Sequence, residues 1–434
     1  MAFLTSLFAG VSGLNAFGSG LSVVSDNIAN MNTTGFKSAE ISFADLISSG
    51  QGRRQIGRGV FVNEIRSNFE QGSFETTGNN LDLAVEGEGF FVMRDPAGAT
   101  FYTRSGGFNI SQTGLVENGA GLLLQGVQAN ETGVLTGQIG DISLSQTAFP
   151  PFATTRIDLV ANLDSRATIP AAFDVNSPTT TSNFSTSITV NDSLGSGHLV
   201  SVYFRKNTSV PAGNTWEYFA VVDAADAEPI PPATTGVDTI MANGTLTFGS
   251  NGALSAVSAT NYPLGGFDFS GGATQNQTIA FGFGTPPSAG GTGLDGVTQF
   301  GASSGTLTQT QDGFASGSLS SVSINKDGIV TGLFTNGESR TLAQVSLARF
   351  NNKQGLSKVG DNLYTITSDS GQPVLGLPNA AGSGRILSNS LELSNADLAQ
   401  QFVKMIEYQR GFQANSRVIS TTDDLLQELV NIRR

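Results

Sequence analysis

The sequence predicts a multidomain α+β protein in which long terminal α-helices pack as a coiled-coil-like inner domain and nested β-rich domains lie outside it. Three observations support this fold class. Apolar residues recur every seven positions near both ends of the 434-residue chain, a pattern typical of helices that pack side by side. The region between the ends is rich in Gly, Ser, Thr and Asn, which suits short strands and tight turns. Only 13% of the residues are charged, which is roughly half the usual share.

The first helix is predicted over residues 4–29. An apolar residue recurs at every seventh position of this helix, and the resulting row consists of Leu7, Leu14, Leu21 and Ile28. A neighbouring row changes from large to small and polar side chains, so only one side of this helix is consistently dry. We interpret the apolar row as a dry seam along which this helix packs against another helix.

The last helix is predicted to begin at Ser394, a good N-cap with Asp397 three residues later, and to continue to about residue 434. Its apolar row consists of Leu398, Met405, Phe412, Ile419 and Leu426. Its second row is mixed, as in the first helix. The two apolar rows together predict that the two chain ends close into one helical unit.

The order of these features along the chain predicts four nested parts. They are a helical inner domain (residues 1–30 and 394–434), an extended connecting region (31–78 and 368–393), a β-rich middle domain (79–145 and 312–367) and an inserted β-rich outer domain (146–311). Glycines punctuate the connecting region, which we expect to contain only short extended stretches.

Alternating apolar residues between turn signals predict the individual strands. The predicted strands are residues 157–163, 187–190, 199–204, 216–222, 244–248, 322–324, 329–330, 341–350 and 362–367, with a hairpin over 81–93. Residues 282–293 are rich in Gly and Pro and are predicted to form a loop.

Composition excludes several classes of function. The formal net charge of -13 argues against nucleic acid as a partner, because binding to the phosphate backbone requires a basic protein surface. The absence of cysteine removes disulfides, thiol nucleophiles and Cys-based zinc sites. We expect no membrane insertion, because no unbroken apolar run reaches the ~18 residues of a spanning helix. We also expect no cleaved signal peptide, because no basic region precedes the first apolar stretch.

One segment matches a catalytic motif literally. Residues 301–305 fit the pattern GxSxG, but a nucleophile elbow needs a strand before it, a helix after it and a basic partner. The single histidine, His198, lies upstream of the serine, whereas that motif places its histidine downstream. We therefore expect no catalytic, metal or cofactor site. A hydrolase that uses two carboxylates stays the open enzyme hypothesis, because any two carboxylates can meet in space.

Four blocks resemble one known family. Residues 26–37 (DNIANMNTTGFK) resemble the N-terminal signature of the bacterial flagellar rod, hook and hook-associated proteins. Residues 80–93 and 101–108 resemble segments that follow it in the hook and long rod proteins, and residues 409–420 resemble the family's ending. The motif residues are Asn27, Asn30, Asn32, Gly35, Phe36, Arg410, Gly411, Phe412, Gln413 and Asn415.

This resemblance implies an axial, self-assembling and non-enzymatic protein without cofactors. It implies export through the flagellar type III apparatus without signal-peptide cleavage, and an extracellular place in the hook and basal body of the flagellum. The implied partners are further copies in a helical polymer, together with the distal rod, hook cap and hook–filament junction proteins. In such a polymer, the two apolar rows of the terminal helices are the predicted polymerisation seam.

The length of the insert distinguishes members of this family. About 170 residues separate the two family-like halves, which favours a hook subunit that forms a curved hollow tube and transmits torque as a universal joint. In such a tube, a Gly-rich inner joint together with polar outer contacts is expected to let neighbouring copies slide relative to one another as the tube bends. A straight distal rod subunit stays an alternative. The second alternative is a secreted β-rich adhesin or polysaccharide-acting enzyme whose terminal helices only dimerise.

Two expectations concern the helices in such a tube. Small and polar side chains on them are expected to line a wet channel, with candidates Ser12, Asn15, Ser19, Gln401 and Asn415. Because helices rich in Gly and Ser are marginal in isolation, both ends are expected to be largely disordered in the free monomer and to fold on assembly.

Overall fold

The computed structural model describes residues 2–47, 57–144, 148–207, 214–228, 238–262 and 265–432. Its helices are α1 (Ala2–Ala29), the short α2 (Pro178–Thr181) and α3 (Leu398–Ile432), with two 3-10 turns at Pro287–Ala289 and Lys353–Gly355. The remaining secondary structure consists of strands, so the protein is a multidomain α+β protein. The sequence predicts both long helices, although α1 begins two residues before the predicted start and α3 begins after it.

The strands are short, as the turn-rich composition indicates. In chain order they are β1 (Ala39–Ile47), β2 (Gly57–Ser67), β3 (Phe74–Thr76), β4 (Leu83–Glu86), β5 (Phe90–Arg94), β6 (Thr100–Thr103), β7 (Phe108–Ile110), β8 (Val116–Asn118), β9 (Leu123–Ala129), β10 (Leu135–Asp141), β11 (Ala148–Phe149), β12 (Arg156–Asn162), β13 (Phe184–Asn191), β14 (Gly197–Lys206), β15 (Thr215–Val222), β16 (Thr239–Phe248), β17 (Leu254–Val257), β18 (Ala280–Gly282), β19 (Gly305–Gln311), β20 (Gly317–Ile324), β21 (Ile329–Phe334), β22 (Ser339–Val345), β23 (Leu347–Arg349), β24 (Ser357–Gly360), β25 (Leu363–Thr365), β26 (Val374–Gly376), β27 (Arg385–Ser388) and β28 (Ser390–Glu392).

The chain divides into two compact units. The first unit comprises Met1–Thr147, Ser320–Leu333 and Ser339–Arg434, and the second comprises Ala148–Leu319 and Phe334–Glu338. The finer division into four nested parts stays a prediction.

In the first unit, an antiparallel sheet follows the order β21–β22–β9–β5–β6–β25–β24, and β23 pairs with both β5 and β26. Four consecutive apolar residues at the start of β5 are buried, which indicates that both faces of this strand are covered. The ring of Phe90 meets those of Phe69, Phe350 and Tyr364 at centroid distances of 5.6, 5.8 and 5.9 Å. This aromatic cluster forms a core on one face of the sheet.

The second unit contains a five-stranded antiparallel sheet in the order β13–β14–β15–β16–β17 and a three-stranded sheet in the order β18–β12–β19. The predicted strands at 187–190, 199–204, 216–222 and 244–248 all lie within β13 to β16. Alternate residues of β14 are buried, as expected for a strand with one face on a core. Fully buried Phe204, Trp216, Tyr218 and Phe248 belong to that core.

The connecting region contains longer strands than the sequence suggests. β1 and β2 have 9 and 11 residues and pair antiparallel from Ala39 opposite Ser67 to Ile47 opposite Gly57. Register shifts after Ser42 and after Asp45 interrupt the pairing. Such bulges break the two-residue alternation of side chains, which explains why the pattern is hard to recognise in the sequence.

The N-cap of α3 is Asp397, and the expectation of Ser394 was wrong. The carboxylate of Asp397 accepts a hydrogen bond from the Gln400 N–H at 2.9 Å, the usual cap-to-N3 contact. The hydroxyl of Ser394 instead accepts from the Ala396 N–H at 3.2 Å. The helix therefore begins at Leu398.

The GxSxG segment leads into a strand, because β19 begins at Gly305. His198 is a buried side chain of β14. Its Nε2 lies 3.1 Å from a carboxylate oxygen of Asp192, and its ring stacks on Phe269 at 4.3 Å. Among the residues that the structure describes, no three His, Asp or Glu side chains are grouped so that they could hold a metal ion.

Candidate assembly surface on the terminal helices

Helices α1 and α3 pack antiparallel in the first unit. Asn27, near the end of α1, donates a hydrogen bond to Gln401 Oε1, near the start of α3, at 3.1 Å. Towards the start of α1, Gly10 lies beside Ile419, so that an added Cβ would be 3.1 Å from the isoleucine Cγ1. Later residues of α1 thus meet earlier residues of α3, and the two chain ends form one helix pair.

Glycines let the two helices approach closely. An added Cβ at Gly13 would lie 2.7 Å from the Asn415 side chain, and one at Gly20 would lie 2.9 Å from the ring of Tyr408. On the opposite helix, a Cβ at Gly411 would lie 2.8 Å from the Phe17 ring. Cβ contacts this short do not occur without movement of a neighbour. The contact is therefore built from large side chains seated over glycines.

The centre of this contact follows two seven-residue rows that are not among the predicted apolar rows. On α1 the row is Gly13, Gly20 and Asn27, all buried, and on α3 it is Gln401, Tyr408, Asn415 and Thr422. We call these two rows the central seam. A search for large apolar residues overlooks it, because its members are glycines, amides, a tyrosine and a threonine. The seven-residue spacing of small and amide side chains is the signal that could have revealed it.

The predicted apolar rows flank the central seam. Eight of their nine members are half-buried in the single chain, and the ninth, Leu398, is exposed. The half-buried ring of Phe412 lies next to α1, 4.0 Å from the position of a Cβ on Gly18. These rows therefore retain accessible apolar surface. Their role as a polymerisation seam stays a prediction.

The first three turns of α3 carry an exposed apolar face. Phe402, Val403 and Ile406 are 47%, 66% and 50% exposed, and Leu398 lies on the same face one turn earlier. Farther along the helix, this face carries exposed polar side chains, namely Gln409, Arg410, Gln413 and Arg417. We call the first group the α3 apolar patch and the second the α3 polar stripe.

Helix α1 is also apolar on its outer side. Phe8 and Val11 are 65% and 42% exposed. Residues 5–29 are long and apolar enough to cross a bilayer by length and composition alone. A helix that packs against other protein surfaces has the same composition. In the single chain, α1 therefore has apolar surface that its own chain does not cover.

The β1–β2 hairpin packs against the helix pair. The ring of Phe43 lies 6.0 Å from both Phe17 of α1 and Tyr408 of α3. The hydroxyl of Ser12 accepts a hydrogen bond from the Val60 N–H at 3.1 Å. Gly59 has a φ of +110°, and any Cβ there would overlap Ser12. The hairpin thus fixes α1 from a second side.

The N-terminal motif turns the chain from α1 into β1. Asn27 bonds both backbone groups of Ala39, donating to its oxygen and accepting from its N–H at 2.8 Å each. Asn30 donates to the Asp26 backbone oxygen at 3.0 Å, whereas Asn32 is exposed.

Two further motif residues complete this turn. Gly35 has a φ of +69°, and an added Cβ would lie 2.4 Å from the Ser105 nitrogen. Phe36 is buried, and Lys358 Nζ lies 5.2 Å from the centre of its ring. The motif therefore encodes a defined change of chain direction.

The C-terminal motif residues divide between two roles. Gly411 and Asn415 belong to the helix contact, and Phe412 flanks it. Arg410 and Gln413 are exposed on the polar stripe. Only part of this motif therefore serves the helix pair within one chain.

Four family models match the chain. They are "Flagella basal body rod protein" over residues 7–37, "Flagellar hook protein FlgE/F/G D1 domain" over 84–192, "Flagellar basal body protein FlaE D2 domain" over 162–314 and "Flagellar basal body rod FlgEFG protein C-terminal" over 387–432. The terminal matches coincide with the two long helices.

Curated relatives match over nearly the whole chain. The flagellar hook protein FlgE of Escherichia coli (strain K12) is 34% identical over 428 residues, which cover 98% of each protein. The flagellar hook protein FlgE of Treponema pallidum (strain Nichols) is 31% identical, with 99% of this chain and 100% of the relative covered. A crystal structure of Helicobacter pylori flagellar hook protein FlgE2 aligns with 73% of this chain and all of that one, at 15% identity and a TM-score of 0.48.

Relatives above 30% identity span both helical ends and the long insert, and the curated relatives described above are hook proteins. The chain therefore belongs to the flagellar hook protein family and is a subunit of the hook, not of the rod.

Proposed function

We propose that copies of this chain polymerise through α1 and α3 into a curved hollow helical tube, which acts as a universal joint between the rod and the filament. The observation that carries this proposal is the apolar surface of the two helices that their own chain leaves open. Packing that surface against different surfaces of neighbouring copies is heterologous, and heterologous contacts that do not close give open helical polymers. The helices would supercoil as a coiled-coil-like inner layer.

The predicted apolar rows and the α3 apolar patch are the surfaces that we assign to neighbouring copies. Complete burial of a side chain such as Phe402 is favourable by roughly 1.5–3 kcal/mol, and the patch contains four large apolar side chains. Because the central seam is already occupied within the chain, these surfaces can pack on other copies without opening the helix pair.

The α3 polar stripe is the surface that we assign to the wet channel. Of the candidates from the sequence, Gln401 and Asn415 contact α1 and Ser12 contacts β2. Asn15 is exposed and Ser19 is half-buried, so these two candidates remain. A lining of amides, hydroxyls and guanidinium groups is well hydrated, and it would allow unfolded cargo to pass without sticking.

The β-rich parts would lie outside the helical layer. We propose the four nested parts with the boundaries given above, with the insert outermost. Export through the type III apparatus without cleavage, an extracellular location, the absence of catalysis and of membrane insertion, and contacts with the distal rod, hook cap and junction proteins complete the proposal. These elements rest on the resemblance to hook and rod proteins.

We also propose that the helices become fully ordered only on assembly, because much of their apolar surface lacks cover in one chain. Hydrogen exchange on the monomer tests this directly. Rapid exchange of the α1 amides in the monomer and slow exchange in the tube are expected. Strong protection of residues 5–28 in the monomer would contradict this part of the proposal.

Charge substitutions on the flanking rows test the assembly surface. Leu14→Asp and Phe412→Asp each place a carboxylate on half-buried apolar surface, and burial of an unpaired charge is costly. We expect both variants to fail to form tubes while their β-rich parts stay folded. Ala97→Asp adds the same charge at an exposed turn and is the matched control. Normal tubes from either helix variant would contradict the assignment of these rows.

A further inference from the structure

Three charged side chains from distant parts of the sequence meet where the helices join the β-rich part of the first unit. Lys37 Nζ lies 2.6 Å from one carboxylate oxygen of Glu392, and Arg104 Nη1 lies 3.4 Å from the other. The side chains of Lys37 and Glu392 are 0% exposed, and that of Arg104 is 4% exposed. We call these three residues the Glu392 node.

The node binds backbone from several strands and loops. Lys37 Nζ also donates to the Glu70 oxygen at 2.7 Å, and the Gly72 N–H donates to Glu392 Oε1 at 3.0 Å. The guanidinium of Arg104 donates to the backbone oxygens of Val85 and Gly87 at 3.2 and 2.7 Å. The node thus joins the segment after α1, the segment after the hairpin, and the loops after β4 and β6.

The charges of the node are not balanced. Two cations share one carboxylate in a dry site, and burial lowers the pKa of both Lys37 and Arg104, while Glu392 opposes that effect. Backbone oxygens and the face of Phe90, 5.2 Å from the guanidinium carbon, provide the remaining stabilisation. Because breaking a buried pair leaves an uncompensated charge, the members of the node hold one another in place.

Neutral hydrogen bonds also join the segment after α1 to the segment before α3. We call the place where these two segments meet the crossing. The Gly35 N–H donates to the Glu392 backbone oxygen at 2.7 Å. The side chain of Asn395 accepts from the Ser38 N–H and donates to the Asn68 oxygen, each at 2.8 Å. Lys37, two residues after Gly35, and Glu392, six residues before α3, are thus bound to each other and to the strands.

We propose that the Glu392 node is a rigid coupler that holds α1 and α3 against the β-rich part of the first unit and excludes a hinge at this crossing. This inference rests on the proposed function, because a coupler matters for a tube that transmits torque. The sliding that bending requires would then occur between copies, and the connection of each helix pair to its own strands would stay fixed.

The experiment compares Lys37→Met with Lys353→Met. Lys37→Met cuts the contacts to Glu392 and Glu70 but leaves Glu392 and Arg104 as a balanced pair, so the variant is expected to fold. Lys353 forms an ion pair with Glu88 that is partly exposed, and its substitution is the matched control. The measurements are hydrogen exchange at the Gly35 and Gly72 amides of the monomer, and the bending persistence length of tubes in electron micrographs.

For Lys37→Met, we expect exchange at both amides to rise at least about tenfold and the persistence length of the tubes to decrease. Lys353→Met is expected to match the original protein. Lys37→Met tubes with unchanged persistence length would overturn the coupler. If Lys37→Met forms no tubes, the monomer decides: unchanged exchange at both amides overturns the coupler, and faster exchange confined to this crossing supports it. Absence of tubes from the original chain would instead overturn the proposed function.

Discussion

Gly20 and Gly18 provide a sharp test of the helix contact, because they lie two residues apart on α1 and differ in their surroundings. A Cβ at Gly20 would lie 2.9 Å from two ring carbons of Tyr408, whereas one at Gly18 would meet only a Phe412 ring carbon at 4.0 Å. Gly→Ala in a helix interior is favourable by about 1 kcal/mol. Overpacking against a rigid ring costs about 1–3 kcal/mol. We therefore expect Gly18→Ala to favour assembly and Gly20→Ala to impair it.

The difference between the two variants isolates the steric contribution. Both gain the same helix propensity, so the overpacking cost of about 1–3 kcal/mol corresponds to roughly a 5- to 150-fold difference in critical concentration for tube assembly. The assay is sedimentation of tubes over a concentration series, with the concentration of soluble protein as the readout. Equal critical concentrations for the two variants would refute the seating of Tyr408 over Gly20.

Three further predictions concern other parts of the chain. Burial alone would raise the pKa of Asp192. Hydrogen bonds from His198 and from two backbone N–H groups outweigh burial and lower this pKa below its ordinary 3.8. The carboxylate therefore binds its proton more tightly in the unfolded chain, so the second unit loses stability as the pH falls through the lowered pKa. Asp192→Asn is expected to weaken this acid dependence and to cost roughly 1–3 kcal/mol at neutral pH in urea unfolding, and an unchanged acid profile would contradict it. Asp397→Ala removes the cap bond to Gln400 and is expected to destabilise α3 in the tube by about 1 kcal/mol; unaltered helix protection in hydrogen exchange would count against this role. Phe402→Ser is expected to change monomer stability by less than about 0.5 kcal/mol yet to raise the critical concentration roughly tenfold or more, and equal assembly would remove the α3 apolar patch from the interface.

The sequence predicted many elements whose patterns are local, but the hairpin over residues 81–93 was wrong, because β4 pairs with β27 and β5 pairs with β6, β9 and β23. Seven-residue apolar rows indicated both long helices, and alternation in β13 to β16 indicated the sheet of the second unit. These signals survive because the apolar residues of each element recur at its own period over most of its length. In the connecting region, bulges interrupt the alternation in β1 and β2, and the hairpin was underestimated.

The contacts between distant segments could not be predicted in the same way. The central seam consists of glycines, amides and one aromatic ring, and its complementarity is visible only when both helices are placed together. Lys37 and Glu392 are 355 residues apart in sequence, and Arg104 and Glu392 are 288 apart. No local pattern relates residues at such separations. The apolar rows were easier to recognise, but their surface stays partly open in the single chain.

The most direct measurement is electron microscopy of polymers formed by the full-length protein, at a resolution that shows which helix faces are buried between copies. We predict curved hollow tubes with α1 and α3 innermost, the flanking apolar rows and the α3 apolar patch between neighbouring copies, and the α3 polar stripe facing the channel. Tubes held together by the β-rich parts, with the terminal helices outside the contacts between copies, would contradict this account.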